Sequence, residues 1–193
     1  MNTQFLKAIF LVSAISTLCA FTLPNHWFKA GSDPDKYEMG IDKGAGHDGK
    51  NAATIESISK RINGFGTLMQ VSMPDKYLGK RVRMSGYIKT KDVKKWAGLW
   101  LRVDNANSTK SLSFDNMQDR AVKGSTDWKK YEIVLDVPKY ASDIAFGALL
   151  VGTGKMWFDD IKFEIVDKTV PTTGKGNEHV LPADEPANLD FAE

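Results

Sequence analysis

The stretch 155–166 places Ile161, Phe163 and Ile165 on one side of an extended chain and Lys162 and Glu164 on the other. A two-residue period of this kind marks a β-strand with one buried face. Carried back towards the N-terminus, the same phase puts Trp157 and Asp159 on the apolar side. Either a carboxylate is buried there, or a bulge at Asp159 and Asp160 shifts the phase. A carboxylate inside a core is costly unless backbone N–H groups, an arginine or a bound Ca²⁺ compensate it.

Strand-like runs recur upstream. The run 66–73 sets Met69, Val71 and Met73, read as inward, against Leu68, Gln70 and Ser72. In 81–90, Val82, Met84, Gly86 and Ile88 alternate with Arg83, Ser85, Tyr87 and Lys89. In 97–104, Leu99, Leu101 and Val103 alternate with Trp100, Arg102 and Asp104. Further strands are expected over 53–57, 111–115 and 131–137, and over the almost wholly apolar 144–151. Many short strands with turn-rich joints and no amphipathic helix predict an all-β fold, an antiparallel two-sheet β-sandwich. Its expected core is Leu99, Leu101, Ile133, Leu135, Phe146, Ile161 and Phe163.

Residues 1–20 carry one cation, Lys7, ahead of an uncharged run, and read as a secretory signal peptide. The apolar run is shorter than the roughly 18 residues that span a bilayer. Cleavage after Ala20 gives a secreted or periplasmic protein without stable membrane insertion. An uncleaved anchor and lipidation at Cys19 are the rivals, the second opposed by the bulky Leu18. Cys19 is the only cysteine, so a cleaved chain has no disulfide and no thiolate metal site. The sandwich domain is expected over 21–168, followed by a Pro-, Gly- and Thr-rich acidic tail, 169–193, that is extended and mobile. The 26 basic and 24 acidic residues are nearly balanced and form no block of like charge, which gives no electrostatic case for nucleic acid.

The aromatic pair Trp157 and Phe158, followed by Asp159, Asp160 and Ile161, resembles the last core strand of galactose-binding-like jelly-roll β-sandwiches, which include many carbohydrate-binding modules. A longer set resembles a small domain found alone or attached to AraC-type transcriptional regulators. It comprises residues 77–82, the run Gly98-Leu99-Trp100-Leu101-Arg102-Val103-Asp104, the run Phe114-Asp115-Asn116-Met117, and Trp157 to Asp160. The resemblance covers most of 27–193 and implies the fold and a binding role. The end of the chain, 188–193, resembles the Asn-Leu-x-Phe-Glu strand that opens domains of this kind, with Ala192 in place of the Glu. It is either an edge strand or a frayed terminus.

The loops of 28–49 bring carbonyls and carboxylates close together, as a hard cation such as Ca²⁺ requires, although plain turn chemistry accounts for the same residues. By resemblance to sandwiches in which a structural Ca²⁺ joins early loops to the last core strand, Glu38, Asp48, Asp159 and Asp160 are its candidate ligands. Catalytic equipment is poor: His26, His47 and His179 lack metal-ligand neighbours, and no nucleophile elbow, phosphate-binding loop or dinucleotide fingerprint occurs. A non-catalytic chain is expected.

Binding is better supplied. With the inward faces as read, Gln70, Tyr87, Trp100 and Arg102 share the opposite face, joined by Asn116. Aromatic rings stack on the apolar side of a sugar while amides and guanidinium bond its hydroxyls, so the expected ligand is a carbohydrate or similar small polar molecule. Reversed sheet faces, or a loop covering Trp100, are the competing arrangements. A ligand-sensing or structural accessory domain is the alternative function.

Overall fold

The computed structural model describes residues 21–176. The expected signal segment and the 188–193 strand therefore lie outside the described residues. Among the described residues ten strands follow in order: β1 (Phe28–Gly31), β2 (Tyr37–Asp42), β3 (Ala52–Ser57), β4 (Phe65–Ser72), β5 (Lys80–Asp104), β6 (Ser113–Asp115), β7 (Val122–Val137), β8 (Asp143–Val151), β9 (Lys155–Val166) and β10 (Lys175–Gly176). Every pairing among them is antiparallel.

β5 decides the architecture. Its first half pairs with β7 on one side and β9 on the other, and its second half pairs with β8 and β6. The strand thus leaves one layer and enters the next, through register shifts between Ile88 and Ala97 and a positive φ of 55° at Asp92. Bulges are the usual means by which a strand turns such a corner. The first layer is β2-β3-β9-β5-β7, and the second is β1-β4-β8-β5-β6-β10. They enclose one core.

Val82, Met84 and Ile88 from the first half of β5 meet Leu99, Leu101 and Val103 from its second half, all at most 1% exposed. Ile133, Leu135 and Phe146 are buried with them, and Ile161 and Phe163 pack against the same cluster. The core is the expected one.

The phase conflict in β9 is resolved by a bulge. Ser85 and Tyr87 pair with Lys162 and Asp159, so β9 carries one residue more than β5 across that interval. Asp160 takes the left-handed conformation that such an insertion needs, with φ 52°. Met156 and Phe158 consequently point inward at 0% and 2% exposure, and Trp157 and Asp159 point outward.

The domain boundary expected at 168 is corrected. Arg81 Nη1 donates to the carbonyls of Lys168 and Val170, both at 2.6 Å. Thr173 N–H donates to Val134 O at 2.9 Å, and β10 then pairs with β6, Lys175 opposite Phe114. The first part of the expected tail is thus a strap bound to the sandwich. Its hydrogen bonds hold where the composition, rich in Pro, Gly and Thr, suggests only an extended chain.

Candidate functional site

The outer face of the second layer is hollow. Its middle strand, β8, places Ala145 and Gly147 on this face, which carry little or no side chain, and larger residues stand around them. Gly147 is also required by strand spacing, because an added Cβ would run into the Leu68 carbonyl of β4. Phe65, Trp96, Trp100 and Phe114 line the resulting trough, whose volume is about 420 Å³. This lies within the range of small-molecule sites.

Trp100 forms the floor. It is only 6% exposed, and its Nε1–H donates to Thr67 Oγ1 at 2.8 Å. The Thr67 hydroxyl in turn donates to Ala148 O at 2.7 Å. Because Trp100 is opposite Gly147 and Thr67 lies one strand further, the indole reaches across β8 and is fixed at its far end. Met69, Ala145 and Leu149 are buried with it. The wall aromatics, half-buried Phe65 and Trp96 and 37% exposed Phe114, offer the accessible ring surface.

One wall is polar. Arg102 Nε donates to Asp104 Oδ2 at 2.7 Å, and this pair leaves the trough without net charge. Phe114 and Asn116 take the trough side of β6 because Ser113 and Asp115 take the other, at 5% and 6% exposure. Asp115 is held by Arg120 Nη2 at 2.6 Å, Met117 N–H at 2.7 Å and Thr173 Oγ1–H at 2.5 Å. A carboxylate with that many donors is a rigid anchor, and it fixes the strand that carries Phe114 and Asn116.

The end of the trough formed by Phe65 and Val151 is supported by Tyr37 from β2. Its hydroxyl donates to Gly152 O at 2.8 Å, and the ring packs so closely on Gly66 that a Cβ there would collide with it. Burial, above all, pushes the Tyr37 hydroxyl up to about 12.

Of the five expected ligand-binding residues, Trp100, Arg102 and Asn116 are brought together in this trough. The expectation of an exposed Trp100 is corrected, since its neighbours on β4 and β8 cover it. Gln70 is on the core side of β4 with Leu68, and Met69 faces the trough, so the faces read for 66–73 are reversed. Both sides of β4 are covered at Leu68 and Met69, and alternation of apolar residues there carries no phase. Tyr87 belongs to the outer face of the other layer, where His47 stacks on it at 3.7 Å between ring centres.

The four expected metal ligands are not brought together. Glu38 stands opposite Glu56 in the β2-β3 ladder, Asp48 pairs with Lys50 at 2.9 Å, and Asp160 pairs with Lys162 at 2.9 Å. Asp159 Oδ2 accepts the His47 N–H at 2.9 Å. The link between the early loop and the last long strand thus exists, but a hydrogen bond makes it. Ca²⁺ takes six to eight oxygens, and among the described residues no group of three acidic or histidine side chains could hold a metal. The donor set does not fit the ion.

Phe65, Trp96 and Met69 escaped sequence reasoning. Trp96 shares the parity of Trp100 and Arg102, and a strand started one residue before Ala97 would have included it.

No protein-family model matches the chain. Over 168 residues, 86% of its length, it is 46% identical to the HTH-type transcriptional regulator YbfP of Bacillus subtilis, and the match spans 56% of that protein. Among solved structures, the CBM22-1 xylan-binding domain of Paenibacillus barcinonensis Xyn10C superposes with a TM-score of 0.54 at 12% identity, over 77% of this chain and 90% of that one. The enzymatically active domain of bacteriophage CBA120 tailspike protein 4 gives 0.55 at 11% identity, over 74% of this chain and 20% of that one. At such identities the likeness concerns the fold. The chain therefore has the β-sandwich fold of carbohydrate-binding modules, and over most of its length it is similar in sequence to about half of a bacterial transcriptional regulator.

Proposed function

We propose that the chain is a non-catalytic module that binds a neutral carbohydrate in the trough of the second layer. The trough itself carries the reading: ring surface from Phe65, Trp96 and Phe114 beside the polar Arg102 and Asn116, with no net charge. Sugar rings present an apolar face and an equatorial fringe of hydroxyls, which this pairing of stacking surface and hydrogen-bonding wall suits. The xylan-binding neighbour of the same fold supports it. Export through residues 1–20 completes the reading and would place the module outside the cytoplasm.

A glycan array followed by titration calorimetry tests the proposal. Binding that is lost in Trp96→Ala is the expected result, and no binding to any neutral glycan would overturn it. The similarity to a transcriptional regulator favours a second reading, in which the same trough serves a ligand sensor. A sensor requires a ligand-induced change elsewhere in the molecule. Hydrogen exchange of the loop 43–50, which lies on the other layer and lines no part of the trough, with and without the glycan found, separates the two.

A further inference from the structure

The trough does not end at β6. A second hollow of about 440 Å³ opens on the other side of Phe114, at the sheet edge where the strap arrives. Phe114 and Asn116 line both hollows. Their characters differ. The first is walled mainly by aromatic and aliphatic side chains, and the second by Gln118, Asp119 and Thr173 with the backbone of Gly174. Gln118 and Asp119 are exposed, and they stand on a 3-10 turn (Gln118–Arg120). Gln118 N–H donates to Asn116 Oδ1 at 3.1 Å, and Arg120 ties the turn to Asp115.

We propose that the ligand is a linear oligosaccharide bound across Phe114, with one sugar ring in the aromatic hollow and the next in the polar one. This rests on the carbohydrate reading above. A single ring occupies one hollow only, so the polar wall contributes nothing to a monosaccharide. In a chain of two or three rings, Gln118 and Asp119 bond the hydroxyls of the second ring while Phe114 packs against the linkage. Both hollows open to solvent at the sheet face and edge, and a polymer can continue past them.

The test is titration calorimetry with xylo-, cello- and galacto-oligosaccharides of one to six units. In the series that binds, affinity should rise at least about tenfold from one unit to three, the worth of one or two net hydrogen bonds, and then level off. Gln118→Ala with Asp119→Ala should remove that gain and leave monosaccharide affinity unchanged. Trp96→Ala should weaken every length alike. Equal affinity for one and three units, or a gain that survives the double variant, would overturn the oligosaccharide proposal and leave the carbohydrate reading standing. No binding at any length in all three series and on the array would remove both.

Discussion

The two outer faces of the sandwich carry similar residue types and use them differently. On the first layer, Tyr87 is stacked under His47, Trp128 meets the edge of His47, and Trp157 donates its Nε1–H to Asp42 at 2.8 Å with Lys155 over its ring. The loop after β2 supplies His47 and is held down by Asp159. Each of those aromatics is engaged by another part of the same chain. On the second layer, among the described residues, Phe65, Trp96 and Phe114 keep ring surface open to the trough. An outward-facing aromatic is thus a binding candidate only where nothing else in the chain has claimed its ring.

The largest expected effect comes from the floor of the open face. Trp100→Ala removes a buried indole and leaves the Thr67 hydroxyl without its donor, and should destabilise by about 3 to 5 kcal/mol in denaturant unfolding. A loss below about 1 kcal/mol would mean that the indole is not fixed as described. The comparison is sharpest with matched pairs. Phe114→Ala should cost under about 1 kcal/mol of stability while lowering glycan affinity at least about tenfold. Trp157→Ala should cost about 1 kcal/mol through the lost Asp42 bond and leave affinity unchanged. Equal effects of the two on affinity would erase the distinction between the faces.

A smaller effect follows from Tyr37 beneath the trough's end. Its hydroxyl titrates near 10 in an unfolded chain and at about 12 when folded. The neutral form is the one the fold stabilises, so that contribution is complete below pH 10 and is lost as pH rises through 12. Thermal midpoints should fall over this window less steeply in Tyr37→Phe than in the parent protein. Identical slopes would dissociate Tyr37 from the loss. The smallest effect concerns the closed face, where a hydrogen bond occupies the place considered for Ca²⁺. Neither a chelator nor millimolar Ca²⁺ should move the thermal midpoint of metal-free protein, and a clear rise with Ca²⁺ would reopen Asp159 as a ligand.

The fold is legible where polar residues mark one side of a strand, as Arg102 and Asp104 do in 97–104. Parity in 97–104 correctly separated Leu99, Leu101 and Val103 from Trp100 and Arg102, and the broken phase at Asp159 announced a bulge as one of two alternatives. Legibility failed where both faces are covered. Leu68 and Met69, at 0% and 9% exposure, are both buried in different clusters, so composition does not say which belongs inside, and Gln70, grouped with Leu68 as expected, takes the core side with it. The span of β5 was missed for another reason. Its bulges break the two-residue period between Ile88 and Ala97, so one strand of 25 residues reads as two. The strap was hidden because backbone carbonyls, silent in a sequence, receive Arg81.

β5 also sets how the molecule comes apart. A sandwich whose layers share no strand can lose one sheet while the other persists, but here opening either layer removes hydrogen-bonding partners from the same continuous backbone. The amides of Val82 and Leu101, one in each layer, therefore belong to a single cooperative unit and should exchange with solvent only in global unfolding. A glycan bound over Trp100 would accordingly slow exchange at Val82 as much as at Leu101, although Val82 lines no part of the trough.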